Sequence, residues 1–144
     1  MERGAIHWSF ISLDTVSQGH DKIAPGMLYG LPFPWSEETL AQFGPEWLTS
    51  AFHACGSLSR KNRVTKIIVE SEVKITAGNN SGKFLFEVEY ARMTPGLQTK
   101  LFAKIPFAMT PATQSDRFSS SVYKQPMDLF EINTYRLLES SFPM

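Results

Sequence analysis

Residues 64–107 set the architecture of this chain and read VTKIIVESEVKITAGNNSGKFLFEVEYARMTPGLQTKLFAKIPF. β-Branched and aromatic residues are concentrated here in runs whose apolar positions recur with a period of two. The pattern predicts three strands, at Val64–Ile75, Phe84–Tyr90 and Thr99–Phe107. Because the links between them are short and contain Gly, Asn and Pro, we expect the strands to form an antiparallel meander.

Helical patterns lie on both sides of these strands. Upstream, Ser36 is suited to cap a short helix, and Pro45 to begin a second helix that carries an apolar stripe and ends near Gly56. Downstream, residues 127–138 have apolar side chains at helical spacing, with Pro126 near the first turn. The sequence therefore predicts an α+β domain with N-terminal helices, a small twisted antiparallel sheet, and a C-terminal helix packed against that sheet.

The first 34 residues differ in character from the rest of the chain. They mix short apolar pieces with turn formers and end in two segments rich in Pro and Gly, at residues 24–26 and 30–34. We expect an extended arm over residues 1–34 and a folded body over residues 35–144. The aromatic residues of this region are expected to pack the arm against the body, the alternative being an exposed partner site.

The composition narrows the classes of protein to which the chain can belong. With 144 residues and 42% hydrophobic residues, it is long enough to bury one core. Fourteen Lys and Arg balance fourteen Asp and Glu, which argues against nucleic acid or an anionic membrane as partner. One Cys and three scattered His predict neither a disulfide nor a zinc site, and no segment resembles a signal peptide or a membrane span. We expect a cytoplasmic protein.

Lys104 is the residue of the third strand with the clearest chemical potential. The alternation places Leu101, Ala103 and Ile105 on one face of the strand, and Lys104 on the other face beside Phe102. A strand lysine is often only a solvated charge or a guard against edge pairing. The single cysteine is a weaker candidate, because its place on an apolar helical stripe predicts a small core residue and not a nucleophile.

The surroundings of Lys104 give it a more specific interpretation. A glycine-containing loop between two strands, Gly78-Asn79-Asn80-Ser81-Gly82, precedes it, and a helix carrying Glu131 follows it. By itself this loop is equally typical of an ordinary hairpin connection. The order of loop, strand lysine and helix glutamate is nevertheless that of the small lobe of protein-kinase-like enzymes.

From about Pro32 to its end, the chain resembles the aminoglycoside phosphotransferase, choline kinase and ecdysteroid-kinase-like group of small-molecule kinases. Each matching piece is short, and the resemblance lies in their order and spacing. The pieces are Glu46-Trp47-Leu48, the strand from Val64, the loop Gly78 to Gly82, the segment Phe86 to Tyr90, the segment Leu101 to Pro106, Arg117, and Glu131 to Tyr135.

The resemblance implies the nucleotide-binding small lobe of an ATP-dependent small-molecule phosphotransferase. Lys104 would contact the nucleotide phosphates, Glu131 would pair with Lys104, and the Gly78–Gly82 loop would cover the triphosphate. These residue types suit the task, because glycines leave backbone amides open to phosphate oxygens and an ion pair holds the lysine in place.

Kinases of this group carry their catalytic and magnesium-binding aspartates in a second, larger lobe. The only aspartates of this chain after Lys104 are Asp116 and Asp128, and they lie in or before the last predicted helix. The resemblance thus implies ATP and magnesium as cofactors, but neither a catalytic residue nor a metal ligand here. It implies a nucleotide as ligand and, as partner, either a missing C-terminal lobe or another chain over the cleft face. The alternative is a stand-alone α+β binding or interaction module without catalysis.

Overall fold

The computed structural model of the chain describes residues 7, 9–19, 22–26, 28–34, 37–74, 81–106, 122–123 and 125–138. These residues form three helices and three strands, which confirms the α+β class. The elements are α1 (Leu13–Gly19), α2 (Glu37–Cys55), β1 (Val64–Lys74), β2 (Ser81–Tyr90), β3 (Lys100–Pro106) and α3 (Met127–Leu138).

The structure divides into two compact units. One, which we call the sheet unit, is Ile23–Ala108 and contains α2 and the sheet. The other, the terminal unit, combines Met1–Lys22 with Met109–Met144 and contains α1 and α3. The boundaries of these units differ from the boundary between residues 34 and 35 that the composition predicts. The C-terminal helix and the sheet belong to different units.

The sheet has the strand order β1-β2-β3 with both pairings antiparallel, which confirms the predicted meander. The pairing of β1 with β2 has a register shift between Val64 and Lys66. Thr65 is the extra residue, and its hydroxyl donates to the backbone carbonyl of Glu89 at 3.1 Å. Because this bulge resets the alternation, Val64 and Ile67 both contribute to the core while Lys66 stays exposed.

One face of the sheet packs against α2 to form the core of the sheet unit. In β2 the buried positions alternate strictly, since Phe84, Phe86 and Val88 are buried and Leu85 is 38% exposed. The buried core residues of the unit are Leu40, Leu48, Leu58, Val64, Phe84, Phe86 and Val88. The side chains that alternate with the buried residues along each strand point to the opposite face of the sheet, which we call the outer face.

Helix α2 consists of two helical segments that meet at Gly44, as the sequence predicts. Gly44 has φ 70° and ψ −167°, and Pro45 begins the second segment. The hydroxyl of Thr49 donates to the carbonyl of Pro45 at 2.8 Å and accepts from the amide of Val64 at 2.9 Å. The indole of Trp47 donates to the carbonyl of Pro32 at 2.7 Å. Thr49 thereby attaches the second segment to the start of β1, and Trp47 attaches it to the chain at Pro32.

The turn between α2 and β1 is organised by a buried amide. Asn62 is 6% exposed, and its Nδ2 donates to the carbonyl of Arg92 at 2.6 Å. Its Oδ1 accepts from the amides of Arg63 at 2.9 Å and Arg92 at 3.0 Å. The ring Nε2 of His53 lies 2.8 Å from the backbone carbonyl oxygen of Asn62. Asn62 lies between the basic residues Lys61 and Arg63 in the sequence, so its burial is a finding of the structure.

In the terminal unit, residues 13–19 form α1 where an extended arm is expected. The helix begins after Ser12, whose Oγ accepts from the amide of Thr15 at 3.3 Å, and Asp14 lies in the first turn. Both features favour a helix start, because the cap satisfies an open backbone amide and the carboxylate faces the positive end of the helix dipole. The helix-favouring residues Ser12 and Asp14 therefore outweigh the turn-forming residues that follow α1.

Candidate functional site

The residues proposed from the sequence as a nucleotide site are distributed between the two units. Gly78, Asn79 and Asn80 lie outside the described residues. Ser81 and Gly82 are the first residues of β2, and Lys104 lies within β3. Glu131 is an exposed residue of α3, in the terminal unit. The sheet therefore brings together the end of the glycine-containing loop and the strand lysine, whereas the Lys104–Glu131 ion pair stays a prediction.

The register of β2 with β3 defines how near these residues are in the sheet. Gly82 is the partner of Ile105, the residue next to Lys104. Ser81 is the partner of Pro106, and Lys83 is the partner of Lys104 itself. The first residues of β2 thus lie beside the last residues of β3, at one end of the sheet.

The outward direction of Lys104 is confirmed. Leu101 and Ala103 are partly buried and pack against the core, whereas Phe102 is 54% exposed and Lys104 is exposed. The alternation along β3 therefore continues through Lys104, as expected for a strand with one covered face. Lys104 and Phe102 share the outer face with Leu85 of β2.

The hydrogen bonding of the ladder shows which side chains come closest on the outer face. The amide of Val88 donates to the carbonyl of Thr99 at 2.8 Å, so these two residues form a hydrogen-bonded pair. Hydrogen-bonded and non-hydrogen-bonded pairs alternate in an antiparallel ladder, and side chains approach most closely at the non-hydrogen-bonded ones. The non-hydrogen-bonded pairs are Glu87 with Lys100, Leu85 with Phe102, and Lys83 with Lys104.

These three pairs differ in chemistry along the strands. Glu87 and Lys100 form an ion pair, with 3.3 Å between the carboxylate and the ammonium. Leu85 with Phe102 is an exposed apolar pair. The third pair, at the end of the sheet where β2 begins, consists of two lysines. The outer face therefore offers an apolar surface next to two cations.

Lys83 does not stand out in the sequence, because the predicted second strand starts at Phe84. The structure starts β2 at Ser81, which places Lys83 within the strand and half-buried. The signal that would have revealed it is the alternation itself, since counting back from Phe84 puts Lys83 on the face opposite the core. Its pairing with Lys104 follows only from the register.

Other chemically reactive side chains contribute little to a site in the described part of the chain. Cys55 is partly buried at the end of α2, and its Sγ lies 3.1 Å from the hydroxyl of Ser57. The nearby His53 contacts the backbone carbonyl of Asn62 and not the thiol. Among the described residues, no three His, Cys, Asp or Glu side chains are grouped to hold a metal ion. None of the helices so described has the length and apolar character needed to cross a membrane.

Comparisons with protein-family models, with curated proteins and with solved structures give no match to this chain.

Proposed function

We propose that this chain is the nucleotide-binding small lobe of an ATP-dependent small-molecule phosphotransferase. The observation that carries the proposal is the position of Lys104, exposed on the outer face of β3 beside an apolar pair and next to the glycine end of β2. A nucleotide combines an anionic phosphate chain with a flat aromatic base, and this part of the outer face offers a partner for each.

In the proposed complex, the ammonium of Lys104 contacts the phosphates and the base lies over Leu85 and Phe102. Glu131 pairs with Lys104, and the backbone of the Gly78–Gly82 loop covers the triphosphate. The chain binds the nucleotide but does not transfer phosphate by itself, because transfer also needs a base for the acceptor and a magnesium site. Those groups, the acceptor substrate and a second lobe or partner chain belong to the complete cytoplasmic enzyme in this proposal.

The proposal is tested by titrating ATP into the 144-residue chain and measuring heat of binding. Lys104→Ala should weaken ATP binding about fivefold or more, because it removes a charge-assisted contact. Lys66→Ala is the matched control: Lys66 is exposed on the outer face of β1, and its ammonium lies 3.8 Å from the carboxylate of Glu89. Lys66→Ala should change the ATP affinity by less than about twofold, because a distant surface charge has only a small effect.

Equal ATP affinity in wild type, Lys104→Ala and Lys66→Ala would contradict the assigned role of Lys104. Thermal unfolding of each variant separates binding from folding. Lys104 is exposed, so its removal should change the free energy of unfolding by no more than about 0.5 kcal/mol. A large loss of stability with ATP affinity retained would mean that the lysine is structural.

The alternative is a binding or interaction module without a nucleotide site. It is favoured by the apolar side chains that α3 exposes, since Met127 is 61% exposed, Phe130 62% and Tyr135 60%. A folded wild-type chain that binds no ATP would favour this alternative. The same titration therefore distinguishes the two functions.

A further inference from the structure

Each strand of the sheet directs its backbone groups alternately to its two sides. The amide of Val88 donates to the carbonyl of Thr99, on the β3 side of β2, so the neighbouring Glu87 directs its backbone groups toward β1. The partner of Glu87 in β1 is Ile68. The β1 residues before and after Ile68 therefore direct their amides and carbonyls away from β2, to the side of the strand that we call the β1 edge.

Ile67 and Val69 are the residues that present backbone groups at the β1 edge. At the start of the strand, the outward amide of Val64 is satisfied, because it donates to the hydroxyl of Thr49 at 2.9 Å. For Ile67 and Val69, the part of the chain that the structure describes provides no partner on this side. A row of open amides and carbonyls at a sheet edge is a template for the pairing of a further strand.

The side chains along the β1 edge also favour a further strand. Ile67 and Val69 pack against the core of the sheet unit but are only partly buried. Ile68 lies between them in the strand, so it belongs to the outer face, and it is partly buried too. A strand paired at the β1 edge would cover the exposed parts of these apolar side chains, which is favourable.

We propose that the β1 edge binds the β1 edge of a second copy of this chain, antiparallel and about a two-fold axis at Ile68, so that two three-stranded sheets join into one. This inference goes beyond the proposed nucleotide-binding function and does not depend on it. About this axis, Ile67 of each copy lies opposite Val69 of the other. The open amides and carbonyls of the two copies thereby satisfy each other at two symmetric places.

The sequence of β1 favours a second copy as the occupant and sets the register. About the proposed axis, Ile68 meets the same residue of the second copy, and Lys66 lies opposite position 70, which is a glutamate. An axis at Val69 would place Ile68 opposite Glu70, and an axis at Ile67 would place Lys66 opposite Ile68. Of these three registers, the one about Ile68 alone pairs apolar residues with apolar residues and opposite charges with each other.

Lys66 can make this contact and keep the contact within its own chain. Its ammonium lies 3.8 Å from the carboxylate of Glu89, and the two side chains are 61% and 58% exposed. An ammonium group has three donors, so it can serve a second carboxylate as well as the first. The proposed register therefore adds an attraction between opposite charges at each end of the contact and requires no existing ion pair to break.

The test is sedimentation velocity of the full chain from about 10 to about 500 µM. Residues 66–70 of two copies bury less than the about 1,200 Å² of a small stable interface, so we expect a reversible dimer with a Kd on the order of 100 µM. Ile68→Lys places like charges opposite each other on the axis and should weaken the dimer about tenfold or more. The controls are Phe102→Lys, on the outer face of the other edge strand, and Phe130→Lys, on the exposed side of α3; both should leave the Kd unchanged.

An exchange of charges tests the register itself. Lys66→Glu alone and Glu70→Lys alone should each weaken self-association, because both charged pairs across the axis then consist of like charges. An equimolar mixture of the two variants should restore the dimer, because each charged pair again joins opposite charges. Circular dichroism confirms that each variant is folded, and if Ile68→Lys does not fold, the charge exchange decides the question.

Three results would overturn the inference. The first is a chain that stays monomeric up to about 500 µM. The second is a dimer that Phe130→Lys weakens and Ile68→Lys does not, which would assign the contact to α3. The third is a mixture of the charge variants that associates no better than each variant by itself. Because sedimentation is measured without nucleotide, these results are independent of whether ATP binds.

Discussion

Replacing Asn62 with alanine removes the buried amide that joins the turn before β1 to the link between β2 and β3. The side chain makes three hydrogen bonds to the backbone, one to the amide of Arg63 and two to the amide and carbonyl of Arg92. Asn62→Ala leaves all three backbone groups without these partners. Because Asn62 is 6% exposed, water does not simply occupy the place of its amide.

The size of the effect follows from the number and kind of these bonds. A hydrogen bond within a protein contributes about 1 kcal/mol net, which gives about 3 kcal/mol for three bonds. Arg63 and Arg92 are exposed residues, so hydration of their backbone groups offsets part of this loss. We expect Asn62→Ala to lower the free energy of unfolding by about 2 kcal/mol, or the melting temperature by roughly 6 °C for a chain of this size.

Urea unfolding followed by tryptophan fluorescence measures this difference. The matched control is Gln98→Ala, which removes an exposed amide side chain from the link between β2 and β3 and should change stability by less than about 0.5 kcal/mol. If Asn62→Ala and Gln98→Ala have the same small effect, the three hydrogen bonds make no net contribution and the reasoning is refuted. An effect well above 3 kcal/mol would show that the turn itself unfolds with the loss of the amide.

Two further changes test the backbone and the pH dependence. Gly44→Ala should destabilise the sheet unit by about 1–3 kcal/mol, because φ 70° with ψ −167° is a conformation that side chains disfavour and no atom lies within 4 Å of the added Cβ. Gly19→Ala, which has neither a positive φ nor a close neighbour, should change stability by less than about 0.5 kcal/mol in the same urea assay; equal effects would contradict the strain. Burial raises the pKa of Tyr90 above its usual value of 10.0. As the pH rises through about 10, the unfolded chain loses this proton before the folded chain does, so the stability contributed by Tyr90 is complete below pH 10 and is lost above it. Unfolding measured from pH about 9 to about 11 should therefore show a steeper decline in wild type than in Tyr90→Phe, and parallel declines would exclude this role.

Local pattern was enough to locate the strands and most of the helices. Side chains of a strand alternate between two faces, so a sheet with one covered face leaves its period in the sequence; this is how the outward position of Lys104 was predicted. The break at Gly44 and Pro45 was likewise visible, because both residues impose backbone angles by themselves. Helix α1 had its signal in Ser12 and Asp14, but the turn formers around it favoured an extended arm.

The candidate site depended on information that no local pattern contains. Lys83 opposes Lys104 only because β2 pairs with β3 in one register, and a shift by a single residue would have paired a lysine with a core residue. Asn62 is buried because the chain returns to it 30 residues later, at Arg92. The periodicity of apolar residues and the backbone preferences of single residues depend on neighbours in the chain, so both can be recognised in the sequence. Register and the partners of a buried amide arise from segments that meet only after folding, so the tertiary structure alone decided them.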